Sequence, residues 1–176
     1  MIRDPQRRGQ ALAEFFRSVE PSLFADLQEA GVLPPTDDGT LAGGARTEWE
    51  CFALYACVRG LVAAGGFNRE TAAAIDALHE RVLAAWTEEL AARAEPVPPG
   101  AFEARRDRIA ERYAEYGTIG QTGGASGAAT VTRRLGEAAA RHMTRRDPPP
   151  ADLAELAGAL HESLAEGAAE SVRRAE

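Results

Sequence analysis

Lysine is absent from this chain: all 20 of its basic residues are arginine. Schiff-base chemistry through a lysine is therefore excluded. A base composition favouring arginine and alanine codons would account for the bias, as would selection against lysine modification, to which the residue spacing adds no support. Cysteine is almost as scarce, with only Cys51 and Cys57. On a helix these two lie about 240° apart around the axis and face different sides. They form neither a CxxC pair nor a disulfide framework, and buried free thiols fit a reducing cytoplasm. Stretches of valine, isoleucine and threonine with period two are missing, so a sheet has little to be built from.

Several motifs are missing as well. The N-terminal MIRDPQRRGQ is charged and lacks the apolar run of a signal peptide. GxSxG, the Walker pattern, GxGxxG in a βαβ setting and Glu-x-x-His do not occur, which removes the sequence signatures of several hydrolases, nucleotide sites and di-iron bundles. No repeat of fixed period is present.

Alanine, by contrast, supplies 37 of the 176 residues, and with arginine, glutamate and leucine it leans the composition towards helix. The most apolar stretch is Thr47 to Ala64, TEWECFALYACVRGLVAA, in which Arg59 is the single charge after Glu50. Apolar side chains all around a helix predict burial on every side. Two glutamates and an arginine argue against a membrane span. The expected fold is all-α: a helical bundle of about six helices around a buried central helix at 47–64.

The remaining elements follow from caps and periodicity. Asp4-Pro5 opens a first helix, interrupted at Pro21 and ended by Gly31. A long loop is expected over 32–45, then a capping box of Thr47 and Glu50. Asn68 caps a third helix running to about Ala94, with Ile75, Leu78, Val82, Trp86 and Leu90 on one stripe. EPVPPG at 95–100 is an internal break. A fourth helix turns Phe102, Ile109, Tyr113 and Tyr116 inward and carries a rim of Arg105, Arg106, Arg108 and Arg112. A flexible glycine-rich loop is expected at 117–127. The fifth helix follows Val131, Leu135 and Ala138; the sixth follows Leu153, Leu156, Leu160 and Leu164 and frays after Gly167. The whole, 1–176, is expected as a single domain.

The net charge of −7 disfavours nonspecific nucleic-acid binding. The charge is uneven: residues 101–146 hold 9 arginines against 5 acids. That segment would serve an anionic ligand, or neutralise the acidic helices it packs on.

Three candidate sites emerge. The glycine stretch, with Gln121, Ser126 and Arg133, would close backbone N–H groups on an anion, or simply connect two helices. His79, His142 and His161 sit on three helices among apolar residues. Three inward imidazoles would form an open zinc site, whereas a lone histidine on an apolar face is ordinarily a hydrogen-bonded core residue. Arg59, beside Tyr55, needs a carboxylate if buried, and Asp76 or Glu80 on the next helix are the expected partners. In the functional alternative, Arg59 clamps an anion in a cavity with Tyr55, Asp76 and His79.

The function expected is a non-enzymatic cytoplasmic protein-interaction module, an adaptor, chaperone-like or regulatory protein. Its partner would be a protein, first a second copy of itself as a homodimer, with no membrane, nucleic acid or cofactor. The alternative is a ligand- or metal-binding bundle, or an enzyme, with its pocket around Arg59, Asp76 and His79.

Overall fold

The computed structural model describes residues 4–33, 40–92, 98–123 and 127–175, the side chains of 40–43 and 122–123 apart. The described residues form six α-helices and no strand: α1 (Pro5–Glu29), α2 (Thr40–Gly65), α3 (Arg69–Ala92), α4 (Ala101–Gly123), α5 (Ala128–Thr144) and α6 (Ala151–Ala175). An all-α bundle is what this composition builds. None of these helices is long and apolar enough to cross a membrane.

The Asp4 carboxylate accepts the N–H of Gln6 at 3.0 Å, and Pro5 occupies the first turn where its missing N–H costs nothing. Helix α1 then runs through Pro21 to Glu29. Proline deprives the backbone of one donor; on either side of it the hydroxyls of Ser18 and Ser22 donate to the carbonyls of Phe15 and Val19. At α3 the Asn68 side chain accepts the N–H of Thr71 at 2.9 Å, the expected cap.

Helix α2 begins at Thr40, well before Thr47. Residues 40–45 of the expected loop are therefore helical, and the Thr47–Glu50 capping box does not exist, because Glu50 is mid-helix and holds Arg46 and Arg105 instead. Four consecutive residues, Cys51, Phe52, Ala53 and Leu54, are at most 2% exposed. At 100° per residue they sweep about 300° of the axis, and α2 lies against each of the other five helices. Full burial of Phe52, Leu54 or Leu61 is worth about 1.5–3 kcal/mol apiece.

Three crossings are closer than side chains allow, the first at Gly9 of α1, where a Cβ would fall 2.6 Å from the Ala74 carbonyl of α3. A Cβ at Gly60 would fall 2.3 Å from the Ala165 carbonyl of α6, and one at Gly136 would fall 2.1 Å from the Ala154 carbonyl. Helix α6 is thereby seated tightly on both α2 and α5. It also continues past Gly167, burying Ala168, Ala169 and Val172, so the expected fraying does not occur.

Helix α4 extends through Gly117 and Gly120 to Gly123, so most of the expected loop at 117–127 is helix. The reason is that spaced glycines weaken a helix by only about 1 kcal/mol each, within reach of tertiary contacts. Phe102, expected inward, is 36% exposed.

Candidate arginine cleft

Helices α2 and α4 are joined by a seam of ion pairs. Glu48 of α2, 5% exposed, receives Arg112 at 2.6 Å and 3.0 Å, and Arg108 at 2.5 Å. The Arg112 contact is bidentate, the geometry that suits a planar guanidinium to a carboxylate. Burial works to raise the Glu48 carboxyl, but the hydrogen bond and charge of Arg112, with those of Arg108, outweigh it and hold the group below the usual carboxylate range. The Glu48 hydrogen bond likewise raises Arg112. One turn along, Glu50 takes Arg105, whose guanidinium also covers the Trp86 ring at 4.6 Å.

Beyond this seam opens a cleft of about 380 Å³ between α2, α4 and the C-terminal end of α5. Arg108 and Arg112 reach it from α4, and Arg141, Arg145 and Arg146 from the end of α5. Among the described residues Glu48 and Asp147 are the two carboxylates in its wall, which leaves three positive charges in excess there. Arg141 is held loosely, 3.6 Å from Asp147 and 4.0 Å from Glu115. Neither Arg145 nor Arg146 has a carboxylate within ion-pair distance among the described residues. His142, at the edge, meets Glu115 at 2.6 Å. The cleft is electropositive. It offers several N–H forks in a partly enclosed space where screening is weaker than in bulk water.

The three histidines do not share a metal. Among the described residues no group of three or more His, Cys, Asp or Glu is placed to hold an ion. Each instead joins one aromatic cluster. His79 Nε2 lies 2.9 Å from the Tyr113 hydroxyl, His142 is edge-on to Tyr116, and His161 stacks on Phe52 with centroids 4.3 Å apart. Tyr55 ties the cluster together, touching Tyr113, Tyr116 and His161. His161 is fully buried and neither ring nitrogen meets a partner in good geometry. Burial, then the charge of Arg59, push it down to about 3 against a small opposing pull from the Phe52 backbone, so the ring is neutral. Burial also lowers His79, with Asp76 opposing, and raises the Tyr55 phenol. The thiols of Cys51 and Cys57 are pushed up to about 12, chiefly by burial, so neither is a nucleophile at neutral pH.

Arg59 is one-third exposed and pairs with Glu162 of α6 at 2.8 Å, where Thr132 of α5 adds a hydrogen bond to the same oxygen. Its expected partners Asp76 and Glu80 are exposed on α3. The expected pocket of Arg59, Asp76 and His79 is therefore not what gathers these residues: Arg59 is committed to α6 and His79 to α4. Gln121 is exposed on α4, Arg133 is exposed on α5 and paired with Glu137, and Ser126 lies outside the described residues.

Sequence reasoning found Arg108 and Arg112 only as a rim and did not single out Glu48, Arg141, Arg145 or Arg146. The signal for them was the arginine surplus of 101–146 in an acidic chain. Compared with known protein families, characterised proteins and solved structures, this chain matches none.

Proposed function

We propose that the protein is a helical binding module, an adaptor or regulatory protein with no reaction of its own, which receives an anionic group of a protein partner in the arginine cleft. The observation that carries this reading is the convergence of five arginines from α4 and α5 on one cleft, in a chain whose net charge is −7. A surplus of that sign in that setting draws anions by long-range attraction and orients them by bidentate hydrogen bonds. Thiols raised to about 12 and an imidazole lowered to about 3 support binding over catalysis, since neither is poised for chemistry at neutral pH. Reduced, buried cysteines support a cytoplasmic setting. A second copy of this chain is itself an acidic partner and the first to examine.

The test is a fluorescence-anisotropy titration with two labelled peptides of one sequence, carrying glutamate or phosphoserine at the central position. At least one peptide is expected to bind saturably at low salt and to be released by salt or by Arg146→Glu. Light scattering at the same concentrations reports self-association. Absence of saturable binding by both peptides, together with a strict monomer, overturns the reading.

A further inference from the structure

We infer that the group recognised in the cleft is a phosphomonoester dianion rather than a carboxylate; the inference rests on the cleft being a recognition site. Stoichiometry favours the phosphomonoester. Glu48 already shows what a carboxylate does here: its two oxygens accept three N–H bonds and engage Arg108 and Arg112 alone among the cleft arginines. Three guanidiniums remain, one loosely held and two without a carboxylate partner among the described residues. A phosphomonoester presents three terminal oxygens and a charge of roughly −1.5 to −2 at pH 7. It matches the three remaining forks in number. It also reduces the three-charge excess of the wall to about one, where a monocarboxylate would leave about two.

The backbone at Arg145 points the same way. Arg145 ends α5 in the left-handed region, at φ 54°, the only non-glycine residue described there. Glycine is the usual occupant of this position, and an L-residue is held there at a steric cost between its Cβ and the following carbonyl oxygen. The side chain held at that cost is one wall of the cleft, with a terminal nitrogen lying 3.7 Å from where a Gly44 Cβ would sit on α2. Strain kept at a cation that faces a cleft is what a recognition residue looks like.

The obvious counter-reading is that these arginines only neutralise the C-terminal end of α5. That end carries roughly half a negative charge. Arg141 and His142 already stand in its last turn, so the surplus is several times what the helix requires.

The experiment is calorimetric titration of the full chain with inorganic phosphate, and anisotropy with the phosphoserine and glutamate peptides, for the parent protein, Arg146→Ala and Arg145→Gly. Phosphate and the phosphoserine peptide are expected to bind, with the glutamate peptide weaker by about tenfold or more. Each substitution is expected to weaken phosphate binding by a similar factor. Arg145→Gly should at the same time raise the melting temperature, because glycine relieves the left-handed backbone; a merely structural arginine would lower it. Glutamate binding as tightly as phosphoserine overturns the phosphate assignment while leaving the cleft a recognition site. Phosphate binding with no gain from the peptide keeps the assignment and removes the protein partner. Failure of all three ligands, with both variants indistinguishable from the parent, removes assignment and cleft together.

Discussion

Two buried titratable residues give this protein opposite sensitivities to pH. Glu20 of α1 is 3% exposed. One of its oxygens takes Arg46 at 2.6 Å, and the other has no hydrogen-bond partner among the described residues. Burial, opposed by Arg46, raises it to about 7, with Glu50 and Arg105 as the other charges facing it. A folded-state value above the unfolded 4.5 means that the proton binds more tightly in the native state. The stability Glu20 contributes is therefore full below about pH 4.5, falls as pH rises, and is lost above 7. Relative to Glu20→Gln, the parent should lose about 3 kcal/mol between pH 4.5 and pH 8, measured by urea unfolding; a constant difference between the two proteins would contradict the buried-acid account. His161 works the other way. Its folded value of about 3 lies below the unfolded 6.5, so its contribution is present above 6.5 and drains as pH falls towards 3. His161→Phe keeps a ring on Phe52 and should gain on the parent by about 3 kcal/mol from pH 7 to pH 4. Neither residue's role was legible in the sequence. Glutamate and histidine sit on amphipathic helices everywhere, and what shifts them is which other helices cover them. The same holds for Arg59, whose need for a carboxylate was legible but whose partner was sought on the next helix in sequence and found on α6.

At the scale of single helices, glycine separates intrinsic preference from packing. Gly117 lies within α4 with nothing within 4 Å of an added Cβ, so Gly117→Ala should stabilise the protein by about 0.5–1 kcal/mol. Gly136 offers the same gain in propensity, yet a methyl there would sit 2.1 Å from the Ala154 carbonyl. Forcing α5 and α6 apart costs more than propensity returns, so Gly136→Ala should destabilise by about 1–3 kcal/mol. Thermal melts of the two variants, moving in opposite directions, test this. Equal shifts would mean that the helices separate without cost. The existence of the helices was legible because alanine content and apolar periodicity are local properties. Their ends were less so: α2 starts at Thr40 in a stretch rich in glycine, and α4 absorbs Gly117 and Gly120, since residue identity at a boundary is outweighed by what the helix packs on. The glycines that mark close crossings, Gly9, Gly60 and Gly136, carry no local signature that distinguishes them from Gly117.

In the molecule as a whole, α4 is attached differently from its neighbours. Helices α1, α2, α3, α5 and α6 meet through buried apolar faces, and α1 with α3, α2 with α6 and α5 with α6 meet at glycine crossings. Among the described side chains of helix α4 only Ile109, Arg112 and Tyr116 are buried, and the helix depends otherwise on half-buried Tyr113 and Ile119 and the pairs of Glu48 and Glu50 with Arg105, Arg108 and Arg112. An ion-pair seam recovers little more than its own desolvation cost, so α4 should be the first helix to open. Hydrogen exchange should then show α4 amides exchanging ahead of those in α2 and α6. Glu48→Gln would take the buried carboxylate from Arg112 and leave it only the exposed Glu111 at 3.3 Å, at a cost of about 3 kcal/mol, and should accelerate exchange in α4 while α1 and α3 keep their protection. Because the cleft is walled by α4 and the end of α5, phosphate at saturating concentration should slow exchange in those two segments and nowhere else. Uniform exchange across all six helices, unaffected by Glu48→Gln or by phosphate, would mean that the bundle opens as a single unit and that the arginine seam is not its weakest joint.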